Sequence, residues 1–123
     1  MKRLAAFVIA ASGAFSAGLT LAHAFPVNSM PHVGASIKAS PGRVKIWFDA
    51  DLEPLFDKLL VKDAQGQVVS QGTAQVDARD PALLEVRLPP ALPPGPYHVY
   101  WQVNSRDGHR TQGDFTFTVQ PAR

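Results

Sequence analysis

"GPYHVYWQVNSRDGHRTQGDFTFTV", residues 95 to 119, decides the fold. Its first half sets Tyr97, Val99, Trp101 and Val103 on one side and His98, Tyr100 and Gln102 on the other. Its second half sets Phe115, Phe117 and Val119 against Thr116 and Thr118. Alternation with a period of two predicts strands with one buried face. Between the two runs lies a polar connection that carries Asp107, Gly108 and His109.

The same pattern extends upstream. "RVKIWFD" alternates Val44, Ile46 and Phe48 against Lys45 and Trp47, and "ALLEVRL" alternates Leu84, Val86 and Leu88 against Glu85 and Arg87. "DAQGQ", Asp63 to Gln67, predicts a hairpin turn between "KLLVK" and "VVSQG". "PPALPPGP", Pro89 to Pro96, is barred from a sheet interior because proline cannot donate a ladder hydrogen bond. "DADLEPLFD", Asp49 to Asp57, is the longest acidic connection and has room for a helical turn. No helical period, internal repeat or second domain is visible. About seven short strands separated by turns predict an all-β fold, a small antiparallel β-sandwich.

The chain opens differently. Lys2 and Arg3 precede the small, apolar run Leu4 to Leu21, which reads as a cleaved secretory signal rather than a membrane anchor. Residues 23–123 then form one domain with enough chain for a single core. Two of the twelve Lys and Arg residues lie in the signal, so ten remain against ten Asp and Glu. That balance leaves no basic footprint for nucleic acid. The chain has no cysteine. An exported domain without disulfides must rely on its core, and thiolate sites such as blue copper or a zinc ribbon are excluded.

The point of cleavage matters. Ala22 and Ala24 would direct a cut before Phe25, whereas Thr20 and Ala22 accept a cut before His23. A mature N-terminal histidine offers two nitrogens, the α-amine and the ring, which chelate one ion. Asp107 and His109 are two residues apart, so on an extended segment their side chains share a face. Gly108 between them lets the backbone bend. By itself D-x-H is a weak signal and reads as an exposed turn. Together with His23 it makes three nitrogens and one oxygen, a set that suits tetragonal Cu(II) and that zinc tolerates.

"HAFPVNSMPHVGA" (23 to 35), "FDADLEP", "DAQGQ" and the stretch quoted first resemble the CopC family of periplasmic copper-binding proteins. The resemblance runs from His23 to Val119. Its most specific part is Gly95, Tyr97, Val99, Trp101, Ser105, Asp107, Gly108, His109, Gly113, Phe115 and Phe117. It implies a Greek-key β-barrel or sandwich of the cupredoxin or immunoglobulin-like kind. It also implies a mature start at His23, after a signal spanning 1–22, and one Cu(II) per chain held by His23, Asp107 and His109. It further implies a periplasmic, non-enzymatic role in copper homeostasis or resistance, with a CopD-type inner-membrane permease as partner.

Two positions depart from the family pattern. Some relatives carry a methionine-rich Cu(I) site, whereas residues 23–123 contain Met30 alone, and soft Cu(I) wants several thioethers. Many relatives have an acid where this chain has Ala50, which leaves Asp49, Asp51 and Glu53 as substitutes in the outer shell. Among the other candidates, His98 reads as a solvent-side residue and His32 as a loop histidine. Arg106 and Arg110 read as solvated neighbours of the D-x-H pair, and Trp101 as a core residue. Two rival functions remain. One is a metal-free immunoglobulin-like interaction module; the other is a copper monooxygenase with an N-terminal histidine, which an equatorial Asp107 would obstruct.

Overall fold

The computed structural model describes residues 24–122. Eight strands run in order: β1 (Pro26–Met30), β2 (Ser36–Ile37), β3 (Arg43–Phe48), β4 (Lys58–Lys62), β5 (Gln71–Val76), β6 (Leu83–Arg87), β7 (Gly95–Asn104) and β8 (Arg110–Val119). They form two four-stranded sheets, ordered β1-β3-β6-β5 and β2-β8-β7-β4. With β2 set aside, this is the order of an immunoglobulin constant-type sandwich, four strands facing three.

The alternating residues fill the space between the sheets. Val44, Ile46, Leu84, Val86, Val99, Val103 and Phe117 are almost wholly shielded from solvent. Burying one such side chain contributes about 1.5–3 kcal/mol. Phe48 meets Trp101 edge to face with centroids 5.3 Å apart, and Tyr97 stacks on Phe117 at 5.5 Å. Tyr97 also fixes the proline-rich corner, since its hydroxyl donates to the Pro93 carbonyl at 2.5 Å. A tyrosine bonded back to the preceding corner is a hallmark of immunoglobulin-like sandwiches. Gly113 faces Trp101 across the β7–β8 ladder, and a Cβ there would lie 2.6 Å from the indole Cζ2.

Three details differ from the sequence reading. The eighth strand is the two-residue β2, which pairs in parallel with Thr118 and Val119. It forms because the turn at Gly34 (φ 74°) lays the chain along the end of β8. The Asp63–Gln67 turn closes as expected, with the Asp63 carboxylate accepting from the amides of Gln65 and Gln67. Its second arm is only a bridge at Val68, however. The Ser70 hydroxyl accepts the Val61 amide at 3.1 Å, and the chain then crosses to the other sheet as β5. Finally, no helical turn forms over Asp49–Asp57. Buried Leu52 instead bridges to Ser105, drawing the connection along the end of β7.

Candidate metal centre

The β7–β8 loop is tightly built. The Ser105 amide donates to the His109 carbonyl and the Gly108 amide to the Ser105 carbonyl, each at 2.9 Å. Gly108 has φ 93°, a conformation that a side chain rarely adopts. This turn brings Asp107 and His109 together, with His109 Nδ1 3.1 Å from Asp107 Oδ1. The same oxygen accepts the hydroxyl of Ser105, which is 2% exposed, and lies 3.4 Å from the His109 amide. The Ser105 hydroxyl is the first cause, and the His109 ring and amide further ones, that hold the Asp107 carboxyl below the usual carboxylate range. Asp107 is therefore an anion at neutral pH.

The N-terminal segment is fastened to the same end of the sandwich. Ala24 is fully buried, and its carbonyl accepts the Thr111 hydroxyl at 2.6 Å, two residues beyond His109. Asp49 grips the next residue twice. Its Oδ1 accepts the Phe25 amide at 2.8 Å, and its own amide donates to the Phe25 carbonyl at 2.9 Å. His23 lies outside the described residues.

The acidic connection supports the loop from below. Arg106 donates its amide to the Asp51 carbonyl at 3.2 Å, and Glu53 donates its amide to the Asn104 carbonyl at 2.8 Å. Asp49 thus acts on the N-terminal segment through its carboxylate, whereas Asp51 and Glu53 meet the loop through their backbones. Ala50, at the position often acidic in the resembled family, packs partly buried against the core.

The other histidines sit elsewhere. His98 Nε2 is 2.9 Å from Asp114 Oδ2, and its ring stacks on Tyr100 at 4.4 Å on the outer face of the sheet. Six residues of strand, roughly 20 Å, separate it from Asn104. His32 lies in the turn after β1, where it lines a groove of about 550 Å³ with Val27, Val33, Trp101 and Phe115. Neither Asp107 nor His109 lines that groove or the neighbouring one of about 470 Å³. Among the described residues no three His, Cys, Asp or Glu side chains cluster as a metal site. The described residues thus bring Asp107 and His109 together, with the Ala24–Phe25 segment pinned beside them.

The CopC domain model matches residues 26–120. The chain belongs to the CopC family. Its match to that family takes in the acidic connection and the whole β7–β8 hairpin, and begins two residues after Ala24. The structure superposes on CopC from Methylosinus trichosporium OB3b with a TM-score of 0.76 and 34% identity, covering 82% of this chain and 97% of that one. PcoC from Escherichia coli, a methionine-rich copper resistance protein, gives 0.71 and 26%, covering 80% and 100%. Protein YobA of Escherichia coli K12 is 31% identical over 99 residues, 80% of each chain. Copper transport protein CutJ of Bacillus subtilis is 28% identical over 103 residues, which is 84% of this chain but 19% of that protein. Among the described residues no helix is long and apolar enough to cross a membrane.

Sequence reasoning singled out Asp107 and His109 but assigned no role to Ser105, Thr111 or Asp57. Ser105 carried a signal, since it stands two residues before Asp107 as Asp107 stands before His109. The Thr111–Ala24 bond spans 87 positions, and nothing local announces it.

Proposed function

We propose that this chain is an exported copper-binding protein of the periplasm, with residues 1–22 as its signal and no catalytic role. In this reading the His23 amine and ring, Asp107 and His109 hold one Cu(II). The observation that carries it is the Thr111–Ala24 hydrogen bond, which fixes the residue next to His23 two positions from His109. A peptide unit spans about 3.8 Å between Cα atoms, so a chain starting at residue 23 starts beside the loop. The 3.1 Å between His109 Nδ1 and Asp107 Oδ1 also suits two donors at right angles around one ion, for which metal–ligand bonds of about 2.1 Å predict about 3 Å. A carboxylate already ionised at neutral pH binds without first losing a proton.

The relatives support copper as the cargo. PcoC is a copper resistance protein and CutJ a copper transport protein, and in CutJ the matching part is about a fifth of a longer chain. A match confined to part of a longer copper transport protein accords with delivery to a CopD-like permease here. A donor set at a chain terminus suits release, because a terminus exchanges ligands at small structural cost. Cu(II) titration of the periplasmic protein, alongside H109A, tests the assignment: one equivalent bound by the wild type and strong weakening in the variant are expected.

A second reading, a metal-free interaction module, draws on the same loop. Asp107 Oδ1 already gathers the Ser105 hydroxyl and the His109 ring and amide, which would staple the turn without a metal. Absence of stoichiometric Cu(II) binding by the wild type, with the fold intact, would favour it.

A further inference from the structure

Beside the loop sits a carboxylate that the proposed ligand set does not use. Asp57 ends the acidic connection, and its Oδ1 accepts the Asn104 amide at 2.9 Å. Its Oδ2 is buried and, among the described residues, has no hydrogen-bond partner. A buried acceptor left unpaired costs free energy and calls for an explanation.

The surroundings make Asn104 the joint between connection and loop. Besides the amide bond to Asp57, the Asn104 carbonyl accepts from the Glu53 amide at 2.8 Å, and Asn104 Nδ2 lies 3.5 Å from the Phe56 carbonyl. Phe56 itself is held at φ 70° and is 74% exposed. A bulky residue at positive φ is an outlier, and such strain persists only where surrounding contacts enforce it. Here it places the next residue, Asp57, under Asn104. Ser105, the hydroxyl partner of Asp107, follows Asn104 directly.

We propose that Asp57 is a positioning residue for the Asp107–His109 centre, and that Cu(II) uptake there is coupled to release of the Asp57 proton to solvent. This rests on the copper reading above. Burial first, and the Glu53 charge in addition, raise Asp57 to about 6 against the lowering effect of the Asn104 amide. At mildly acid pH a proton on Asp57 is thus in play. A dication held at Asp107, three residues beyond Asn104 and so at most about 11 Å of chain from it, favours the anion. By reciprocity the anion favours the dication. Among the charged groups, Glu53 on the same connection acts on Asp57, Lys58 follows it at the start of β4, and Arg110 in β8 reaches Asn104. The Arg110 Nε lies 3.4 Å from Asn104 Oδ1.

The test compares Cu(II) affinity of wild type and D57N from pH 5 to 7.5. Asparagine keeps an acceptor for the Asn104 amide but stays neutral. Proton competition at the ligands themselves is common to both proteins and cancels in the ratio. Equal affinities at pH 5, with D57N about three- to tenfold weaker at pH 7.5, are expected. A ratio constant with pH, in a protein whose copper binding needs His109, overturns the role of Asp57 alone. Absence of His109-dependent binding at any pH overturns the copper reading and the coupling with it. The wild type without metal gives a check that needs no variant. Its Asn104 and Ser105 amide resonances should titrate with a midpoint near 6, and flat resonances there contradict the proposal.

Discussion

The Thr111 hydroxyl donates to the Ala24 carbonyl at 2.6 Å, tying the start of the described chain to the strand that leaves His109. T111V keeps the shape of the side chain and removes the donor. Loss of one partly buried hydrogen bond costs about 1 kcal/mol of stability, more if the carbonyl is left unpaired. Copper affinity should fall by about five- to thirtyfold, since the position next to Ala24 is no longer held. Competition titration with a chromophoric chelator reads this, and the H109A background should erase the difference.

Ser105 acts on Asp107. Its hydroxyl is the chief cause of the lowered carboxyl pKa, so S105A should move the Asp107 titration upward, toward the ordinary value. The depressed folded pKa makes the ionised loop stabilising above the unfolded value of 3.8, and that contribution is lost as pH falls through the folded value. Carbon-detected NMR titration of the Asp107 carboxyl between pH 2 and 5 reads the midpoint. An unchanged midpoint in S105A contradicts the assignment.

Asp57 has the opposite sign. Its folded pKa of about 6 exceeds the ordinary value of 3.8, so its contribution to stability is fully present below 3.8 and lost as pH rises through 6. D57N should therefore flatten the pH dependence of unfolding between pH 4 and 7 and stabilise the protein at pH 8. The site is half-open, and solvent screening reduces the gain to about 1–2 kcal/mol. Urea unfolding at pH 5 and pH 8 measures it.

Gly113 holds the hairpin against Trp101. A methyl group at 113 would lie 2.6 Å from the indole, and the ring is packed edge to face on Phe48 and cannot simply swing away. G113A should cost about 1–3 kcal/mol, the usual range for overpacking, and alter the tryptophan emission of the folded state.

Much of this architecture is legible in the sequence because strand patterning reports burial directly. Val44, Ile46 and Phe48, or Tyr97, Val99, Trp101 and Val103, share a face in the sequence and are buried together in the sandwich. Even the outward position of His98 follows from its parity against Trp101. The short β2 was not legible, because two residues show no period and their pairing depends on β8 some eighty positions away. The same holds at the centre. Asp107 and His109 stand out through spacing, whereas Thr111–Ala24 and Asp57–Asn104 join segments 87 and 47 positions apart. The backbone roles of Asp51 and Glu53 were invisible for another reason: any residue could donate or accept there, so their side chains carried no signal.

The central claim is that the mature chain begins with the residue that completes the copper centre. Intact mass of the protein recovered from the periplasm, measured with and without one equivalent of Cu(II), tests it most directly. The expected result is a mass for His23 to Arg123 that rises by one copper, and does not do so in H109A. A mass beginning at Phe25, or a His23 chain that takes up no copper, would contradict the account.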